Sequence, residues 1–419
     1  MRILYAFYEQ QLVGRFSQDE DLVFHFEYDD AWRKNPKAFA LSLALPLQET
    51  SFGNRLSLSF FENLLPEGAI KDAIERHQNI SGVMEFLDKY GRDCAGAIVL
   101  SSQPGGIPNL DPNQMVELDM TQVYEAVEAK ESVADAISSM NPGYLSLAGA
   151  QDKFAAIYKE GRFFLPTQGG ATTHIIKPPI QHSGIKESVY NEYYCMELAR
   201  AVGLLVPACF VLPGSHPLFV IERYDRSQGK DGLTHRIHQQ DFCQAQGFTS
   251  EQKYEDKGGP TLKQDYELIL KHFPAKKRLR SITNLLDWVA FNLLIGNNDS
   301  HSKNISLLLQ PEGLTLAPFY DLLCSAIYPR LQREFSFSIG GQRVFTKISK
   351  RNTEVLENDL GLKAGTFGRH ILILAAKIEK EQTSVAKRVQ REHPEAKIPA
   401  RISTLISDRI KSLQLQGIS

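Results

Sequence analysis

The sequence contains few cysteines, and no two of them have the spacing of a metal or redox motif. Its five cysteines lie far apart and are Cys94, Cys195, Cys209, Cys243 and Cys324. Structural zinc sites and dithiol redox centres need closely spaced pairs of the C-x-x-C type. The cysteine pattern therefore excludes both kinds of site and indicates buried thiols in a reducing compartment.

Long apolar runs and an excess of charge of one sign are also missing. Glu9, Gln10 and Gln11 interrupt the N-terminal segment before an apolar core of signal-peptide length develops. No run approaches the ~20 apolar residues of a membrane span. The 47 basic and 49 acidic side chains leave a net charge of -2, so the whole-molecule field does not strongly attract nucleic acid or an anionic membrane. We expect a cytoplasmic protein with no membrane partner.

The sequence has 419 residues, of which 42% are hydrophobic, and this composition is that of an ordinary folded protein. Alternating aromatic-rich runs followed by helical periodicity predict a β-rich N-terminal module with helices over residues 1–103. The Ser/Pro/Gly-rich stretch 101–112 is typical of a linker. Residues 104–256 are predicted to form short strands with one helix, Val189–Ala201, and helical periodicity dominates residues 257–419. The predicted fold class is α+β.

A strongly apolar helix is predicted over Ile282–Ile295, and it ends at Gly296, a residue that tolerates a turn conformation. The polar loop that follows contains Asp299 and Asn304. A predicted hairpin comes next, and Asp321 follows it. The chain order is therefore helix, polar loop, hairpin and carboxylate.

Phosphoryl transfer from ATP needs a carboxylate that orients the acceptor, oxygen ligands for magnesium and a lysine on the phosphates. Asp299 and Asn304 have the separation of the Asp and Asn in the protein-kinase loop H-R-D-x-x-x-x-N, and Asp321 follows a hairpin as the metal-binding Asp of D-F-G does. Lys303 adds a positive charge for the transferred phosphate. A D-x-x-x-x-N pair alone is common in ordinary turns, so the ordered combination with Asp321 and an upstream lysine carries the interpretation.

The upstream lysine is predicted to be Lys177, at the end of a short strand, His174–Lys177. Glu192 lies on the predicted inward face of the following helix, where a carboxylate is costly unless it is paired. An ion pair with Lys177 would give the strand-lysine to helix-glutamate pair of kinases. Glu197 on a neighbouring face is a competing partner, and an exposed strand-end lysine is the plain structural interpretation of Lys177.

A stretch of small residues, Ser146–Lys153, lies between predicted strands, where backbone N–H groups can approach phosphates. It has one glycine rather than a G-x-G-x-x-G set. On its own this stretch favours a plain β-turn.

Five blocks in this order make the chain resemble the HipA family of serine/threonine kinases, the toxin halves of bacterial HipA–HipB toxin–antitoxin pairs. The blocks are Phe60–Gly68, Ser146–Lys153, Ile175–Pro178, Asn298–Asn304 and Ala317–Asp321. The resemblance covers most of the length, and it departs at Asp152, where many relatives have Glu. It implies a protein-kinase-like (PI3/4-kinase-like) bilobal fold with a mostly helical C-terminal lobe.

The resemblance also assigns roles to residues of this sequence. It implies that Asp299 is catalytic and that Asn304 and Asp321 hold Mg²⁺; Lys303, with its positive charge, is predicted as a second catalytic residue. It implies that Ser146 is autophosphorylated, which silences the enzyme. The residues that it assigns to ATP are Ala148, Gly149, Ala150, Gln151, Asp152, Lys153, Lys177, Glu192, Glu222, Arg223 and Tyr224, of which the last three form the segment that meets adenine.

The partners that the resemblance implies are a helix-turn-helix antitoxin like HipB, operator DNA through that complex, and an aminoacyl-tRNA synthetase, such as glutamyl-tRNA synthetase, as protein substrate. A small-molecule kinase is the first alternative, because phosphoryl-transfer residues do not specify the acceptor. A non-catalytic co-repressor subunit is the second, and the intact polar set argues against it. The basic residues of 276–280 and 387–401 favour solvated helix faces over DNA contacts.

Overall fold

The computed structural model describes residues 1–106, 114–140, 148–167 and 169–418. Half of the predicted linker 101–112, residues 107–112, and the predicted phosphosite Ser146 lie outside these residues. The chain divides into two compact units, the first formed by Met1–Pro178 with Leu212–Ser250 and the second by Pro179–Val211 with Glu251–Ser419. The predicted module boundaries after residues 103 and 256 stay predictions.

The described residues form antiparallel sheets and many helices, which confirms the predicted α+β class. The strands in chain order are β1 (Arg2–Tyr8), β2 (Gln11–Gln18), β3 (Phe24–Tyr28), β4 (Ser51–Phe52), β5 (Ile98–Ser101), β6 (Met115–Glu117), β7 (Phe154–Lys159), β8 (Arg162–Pro166), β9 (His174–Lys177), β10 (Cys209–Leu212), β11 (Leu218–Glu222), β12 (Arg226–Gln228), β13 (Thr234–Arg236), β14 (Gln239–Asp241), β15 (Ser306–Gln310), β16 (Gly313–Leu316), β17 (Glu334–Ile339) and β18 (Gln342–Val344).

Helices are the main secondary structure of the second unit. In chain order they are α1 (Asp30–Lys34), α2 (Asn54–Phe61), α3 (Gly68–Gln78), α4 (Gly82–Tyr90), α5 (Met120–Glu128), α6 (Val133–Met140), α7 (Ser188–Ala201), α8 (Phe242–Gln246), α9 (Leu262–His272), α10 (Ala275–Ile295), α11 (Lys350–Asp359), α12 (Thr366–Glu392) and α13 (Ile398–Leu415). In the described ranges no helix is both long and apolar enough to cross a membrane.

The N-terminal sheet has the strand order β4-β3-β2-β1-β5. Every second residue of β2 and β3 faces the core, and several of these inward side chains are aromatic. Phe16 and Phe26 are register partners across these strands, and the rings of Phe16 and Phe61 of α2 stack with their centroids 4.0 Å apart. The predicted β-rich module therefore has a core of its own.

Later strands of the first unit pair in the order β11-β9-β7-β8-β6. Strands β7 and β8 form a hairpin that pairs up to Lys159 and Arg162, and its two turn residues, Glu160 and Gly161, have positive φ. Lys177 ends β9 opposite Phe219 of β11. This register buries Lys177, which is 6% exposed, so it is not the exposed strand-end lysine of the plain interpretation.

In the second unit, α10 confirms the predicted apolar helix and begins seven residues earlier, at Ala275. Its C-cap is Gly296 in the left-handed conformation. A Cβ atom at this position would lie 2.8 Å from the side chain of Ala326, so the tight exit into the polar loop requires glycine. Helix α7 differs from the predicted one-faced helix, because nearly all of its residues are buried.

Candidate active site

Asp299 takes part in three hydrogen bonds, two within the loop that follows α10 and one with Tyr254. The main-chain N–H of Asp299 donates to Oδ1 of Asn297 at 3.2 Å, and the hydroxyl of Tyr254 donates to Oδ1 of Asp299 at 2.5 Å. Nδ2 of Asn304 donates to the carbonyl oxygen of Asp299 at 2.9 Å. The Asp299 side chain is nevertheless 50% exposed. Its carboxylate is thus held in place and still open to solvent.

The two residues of the D-x-x-x-x-N pair are in direct contact through that last hydrogen bond. Because the amide nitrogen of Asn304 is bound to the Asp299 carbonyl, its amide oxygen points away from that carbonyl. Lys303 between them is buried, and its carbonyl oxygen accepts from the hydroxyl of Tyr320 at 3.0 Å. The pair therefore lies in one folded loop, and its catalytic and metal-binding roles stay predictions.

Asn297 connects this loop to the predicted metal-binding carboxylate. Its Nδ2 donates to the carbonyl oxygen of Asp321 at 3.2 Å and to Oδ1 of Asn292 in α10 at 2.9 Å. Asp321 has a φ of 57°, in the left-handed region. Aspartate is one of the few non-glycine residues that adopt this conformation, and such positions cluster at functional sites. Asn297 therefore positions both Asp299 and Asp321.

Helix α7 contacts the segment that follows Asp321. The side chain of Asn191 donates to the carbonyl oxygen of Cys324 at 3.0 Å and accepts from its N–H at 2.8 Å. Glu192, the next residue, is buried as predicted. Glu197 accepts hydrogen bonds from Arg200 at 3.1 Å and from Arg388 at 2.7 Å, so the competing carboxylate already has two arginine partners.

Lys177 and Glu192 belong to different units, and their ion pair stays a prediction. Within the first unit, Nζ of Lys177 lies 5.8 Å from the centre of the Phe219 ring. At the other end of the same strand, burial lowers the pKa of His174 to about 4. A lysine buried in such surroundings needs anionic or polar partners.

The small-residue loop is held by the N-terminal module. Pro66 and Gly149 form a parallel β-bridge, and the N–H of Glu67 donates to the carbonyl oxygen of Gly149 at 3.0 Å. Nζ of Lys153 donates to the carbonyl oxygen of Ala148 at 2.7 Å. Ala150 is exposed and Gln151 partly so.

Asp152 caps a helix. Its carboxylate accepts from the N–H groups of Val133 at 2.8 Å and Ala134 at 3.2 Å, at the start of α6. Burial raises the pKa of Asp152 although these N–H groups favour the charged form. Such a capping role is a structural one, and a direct role in nucleotide binding stays a prediction.

The segment predicted to meet adenine begins at the last residue of β11. The side chain of Glu222 is exposed, that of Arg223 is buried, and the hydroxyl of Tyr224 donates to Oε1 of Gln239 at 3.1 Å. The guanidinium of Arg223 binds the carboxylates of Asp93, at 3.1 Å, and Asp225, at 2.9 Å. Its side chain thus fixes the main chain of the segment.

Sequence reasoning missed three residues of this arrangement. Tyr254, Asn297 and Asp93 contact candidate site residues. In the sequence, Asn297 is one of the turn-forming residues of Gly296-Asn297-Asn298, and Tyr254 and Asp93 stand in no motif. Their roles depend on contacts between distant parts of the sequence, which local patterns do not report.

The donor set fits a magnesium ion held jointly with a nucleotide. Across the described ranges, no three or more His, Cys, Asp or Glu side chains form a cluster that could hold a metal alone. Mg²⁺ usually takes one or two protein carboxylates and completes its octahedron with water and phosphate oxygens. Asp321 and Asn304 supply hard oxygen donors of this kind.

Comparison with known proteins agrees with these observations. The family model for the HipA-like C-terminal domain matches residues 145–392, and that for the HipA N-terminal domain matches residues 4–101. The candidate kinase Y4mE of Sinorhizobium fredii is 35% identical over 381 residues, covering 88% of this chain and 89% of that protein.

A second relative is the serine/threonine-protein kinase toxin HipA of Shewanella oneidensis, which is 27% identical over 88% of this chain and 85% of its own. The solved complex of HipA, HipB and operator DNA from Shewanella oneidensis contains a chain that superposes with a TM-score of 0.83 at 25% identity, covering 98% of this chain and 97% of that one. This match confirms the predicted kinase-like α+β fold. With both domain models matched and the fold shared over its length, the chain belongs to the HipA family.

Proposed function

We propose that this chain is an ATP- and Mg²⁺-dependent serine/threonine kinase and the toxin of a toxin–antitoxin module. The observation that carries the proposal is the arrangement around Asn297, whose side chain contacts the main chain of both Asp299 and Asp321. An acceptor-orienting carboxylate and a metal-binding carboxylate on adjoining loops are the parts that phosphoryl transfer requires.

Each candidate residue then has a task. When bound with Mg²⁺, ATP supplies the phosphoryl group. Asp299 orients the acceptor hydroxyl and takes its proton at a carboxylate oxygen, with Tyr254 and Asn297 fixing its position. Asn304 and Asp321 would hold Mg²⁺, and Lys303 adds positive charge beside them. Residues 148–153, Lys177, Glu192 and the segment 222–224 would bind or support the nucleotide.

The proposed partners follow from the relatives. The Shewanella oneidensis protein is a serine/threonine-protein kinase toxin solved with HipB and operator DNA. We therefore propose a HipB-like helix-turn-helix antitoxin as partner and contact with operator DNA through that complex. The proposed protein substrate is an aminoacyl-tRNA synthetase such as glutamyl-tRNA synthetase.

The test is transfer of labelled phosphate from ATP by the purified chain, with and without Mg²⁺, to itself and to purified glutamyl-tRNA synthetase. We expect labelling of both proteins only when Mg²⁺ is present and none with Asp299→Ala. Absence of any Mg²⁺-dependent phosphoryl transfer to protein would overturn the proposal. Transfer to a small-molecule acceptor alone would favour a small-molecule kinase.

Autophosphorylation is proposed at Ser146, two residues before the described part of the small-residue loop. A phosphoserine adds roughly two negative charges and would compete for donors that otherwise serve the ATP phosphates. Ser146→Ala should bind ATP normally and escape self-inactivation, whereas Ser146→Asp should mimic the silenced state only in part. Phosphopeptide mapping that finds another serine modified and Ser146 unmodified would contradict this assignment.

A further inference from the structure

Five charged side chains of the first unit form a buried network that includes Arg223 of the segment predicted to meet adenine. Two are aspartates and three are arginines, and they come from the N-terminal module and from the region after β11. They are Asp93, Arg223, Asp225, Arg226 and Arg236. Arg236 has the largest side-chain exposure of the five, at 16%. This set is called the Asp93 network below.

Asp93 is the centre of the network. Its Oδ2 accepts from Arg223 at 3.1 Å, and its Oδ1 accepts from Arg226 at 2.9 Å and from Arg236 at 3.0 Å. Burial alone would raise the pKa of Asp93, but the three guanidinium groups outweigh it and hold that pKa below its usual range. Asp93 is therefore a carboxylate in the folded protein.

Asp225 adds a second link to the N-terminal module. It binds Arg223 through both carboxylate oxygens, at 3.0 and 2.9 Å, and its Oδ2 accepts from the N–H of Gly96 at 2.7 Å. Carbonyl oxygens of Cys94 and Gly96 accept further guanidinium N–H groups at 2.9 and 3.0 Å. The main chain of residues 94–96 therefore both donates hydrogen bonds to the side chains of residues 223–226 and accepts hydrogen bonds from them.

A buried network of this kind is weak evidence for a contribution to stability. Taking charges out of water costs about as much as their attraction returns, and well-packed apolar side chains can replace a buried ion pair without loss. What charged hydrogen bonds add is fixed geometry, because guanidinium and carboxylate groups accept few relative orientations. The segment whose geometry is fixed here is Glu222–Tyr224.

The N-terminal module contacts a second candidate nucleotide segment at a separate place. Pro66 pairs with Gly149, and the N–H of Glu67 binds the Gly149 carbonyl at 3.0 Å. These residues belong to the loop between α2 and α3, whereas Asp93 follows α4. Two distant parts of the module therefore hold the two segments predicted to bind adenine and phosphates.

We propose that the N-terminal module is part of the nucleotide-binding apparatus, with Asp93 as the positioning residue for the adenine-contacting segment. This inference rests on the proposed function. It gives the module a task within the kinase: the Asp93 network sets the position of residues 222–224, and the Pro66–Gly149 bridge sets that of the phosphate loop. A change in the module should then alter ATP affinity, and it should do so without changing the chemistry of saturated enzyme.

The experiment compares Asp93→Asn with the full-length wild type by titration with a fluorescent ATP analogue and by kinetics at varied ATP. We expect a rise in Kd and KM for ATP of roughly tenfold to a hundredfold, the range that corresponds to the loss of one hydrogen bond to a charged group. The kcat at saturating ATP should stay within about twofold. Equal Kd values for wild type and folded Asp93→Asn would overturn the inference.

A matched control separates positioning from general destabilisation. Glu357 is also a buried carboxylate, and it accepts from the N–H groups of Gly365, Phe367 and Gly368 in the second unit. Glu357→Gln should lower the Tm and leave the Kd for ATP within about twofold. An increase in Kd as large as that of Asp93→Asn would show that loss of stability alone explains the effect.

A second variant and the wild-type titration distinguish failure of this inference from failure of the proposed function. If Asp93→Asn does not fold, Arg236→Gln removes a less buried member of the network and should raise the Kd for ATP by about threefold to tenfold; an unchanged Kd would overturn the inference. A wild-type chain that binds no ATP with Mg²⁺ would overturn the proposed function itself. Wild-type binding that the network variants do not weaken would overturn only the present inference.

Discussion

The hydroxyl of Tyr254 donates a hydrogen bond to Oδ1 of Asp299 at 2.5 Å, so the carboxylate proposed to orient the acceptor hydroxyl already binds a hydroxyl of its own chain. The ring of Tyr254 meets that of His301 edge-on at 4.8 Å. The ammonium groups of Lys257 and Lys253 lie 5.2 and 5.6 Å from its centre. Tyr254 is therefore held in place and fixes the direction of the Asp299 side chain.

Tyr254→Phe should lower kcat by about tenfold and leave the KM for ATP unchanged. The variant keeps the ring packing and loses one hydrogen bond to a charged group, a contact worth about 1.5–3 kcal/mol when buried and less at a half-exposed carboxylate. Steady-state kinetics at varied ATP provide the measurement. A rise in the KM for ATP with unchanged kcat would contradict a role through Asp299.

Asp299→Ala should abolish phosphoryl transfer and leave the fold intact. The side chain is half exposed and lies on a loop, so its loss removes the acceptor-orienting group without opening a cavity in the core. Phosphate transfer and thermal unfolding should be measured on the same preparation. Wild-type transfer rates in a variant of unchanged Tm would refute the assignment.

Asp321→Asn should weaken nucleotide binding in the presence of Mg²⁺ and have little effect in its absence. Asparagine adopts the left-handed conformation of residue 321 as readily as aspartate does, so the substitution removes the negative charge without adding backbone strain. Mg²⁺ prefers charged oxygen ligands. ATP titrations with and without Mg²⁺ give the comparison, and an equal loss under both conditions would count against a metal-binding role.

Arg409→Met should destabilise the C-terminal end of α10, just before the loop of Asp299. Nε and Nη2 of Arg409 donate to the carbonyl oxygen of Leu293 at 3.0 and 2.7 Å, and the guanidinium stacks on Phe345 at 3.4 Å. Burial lowers the pKa of Arg409 to about 10. We expect a loss of about 1–3 kcal/mol in the free energy of unfolding and a lower kcat.

The control for this prediction is Arg401→Met, which removes an exposed arginine from the same helix, α13. It should leave both the free energy of unfolding and kcat unchanged, because exposed charges contribute little. Equal effects of the two substitutions would mean that the bonds to Leu293 are unimportant.

The stability of the first unit should fall on mild acidification because of His238. Burial lowers the pKa of His238 to about 4, and its Nε2 hydrogen bonds to the carbonyl oxygen of Leu41 at 2.8 Å. Between pH 6.5 and pH 4 the unfolded chain binds a proton that the folded chain does not, so stability present above pH 6.5 is lost as the pH falls. From pH 7 to pH 5 this contributes about 2 kcal/mol.

His238→Gln lacks the titrating group, so its free energy of unfolding should decrease less than that of the wild type between pH 7 and pH 5. The measurement is chemical denaturation at both pH values. His174 also has a lowered pKa and is present in both proteins, so its contribution cancels. Parallel pH dependences in wild type and variant would contradict the assignment.

Local sequence patterns determined much of the architecture. The 3.6-residue periodicity and the terminal glycine of α10 predicted this helix and its C-terminal end, although it begins seven residues before the predicted start. The spacing of Asp299, Asn304 and Asp321 is also local, because one loop and one hairpin separate them. Such features depend on backbone geometry and on neighbours within a few positions.

The tertiary structure alone decided which side chains hold these residues. Tyr254 is 45 positions from Asp299, and Asp93 is 130 positions from Arg223. Asp152, which the family resemblance assigns to ATP, caps α6 because the fold places the N–H groups of residues 133 and 134 beside it. No periodicity or short motif encodes such partners. They arise because burial forces each charged or polar group to find a partner among whatever segments packing brings beside it.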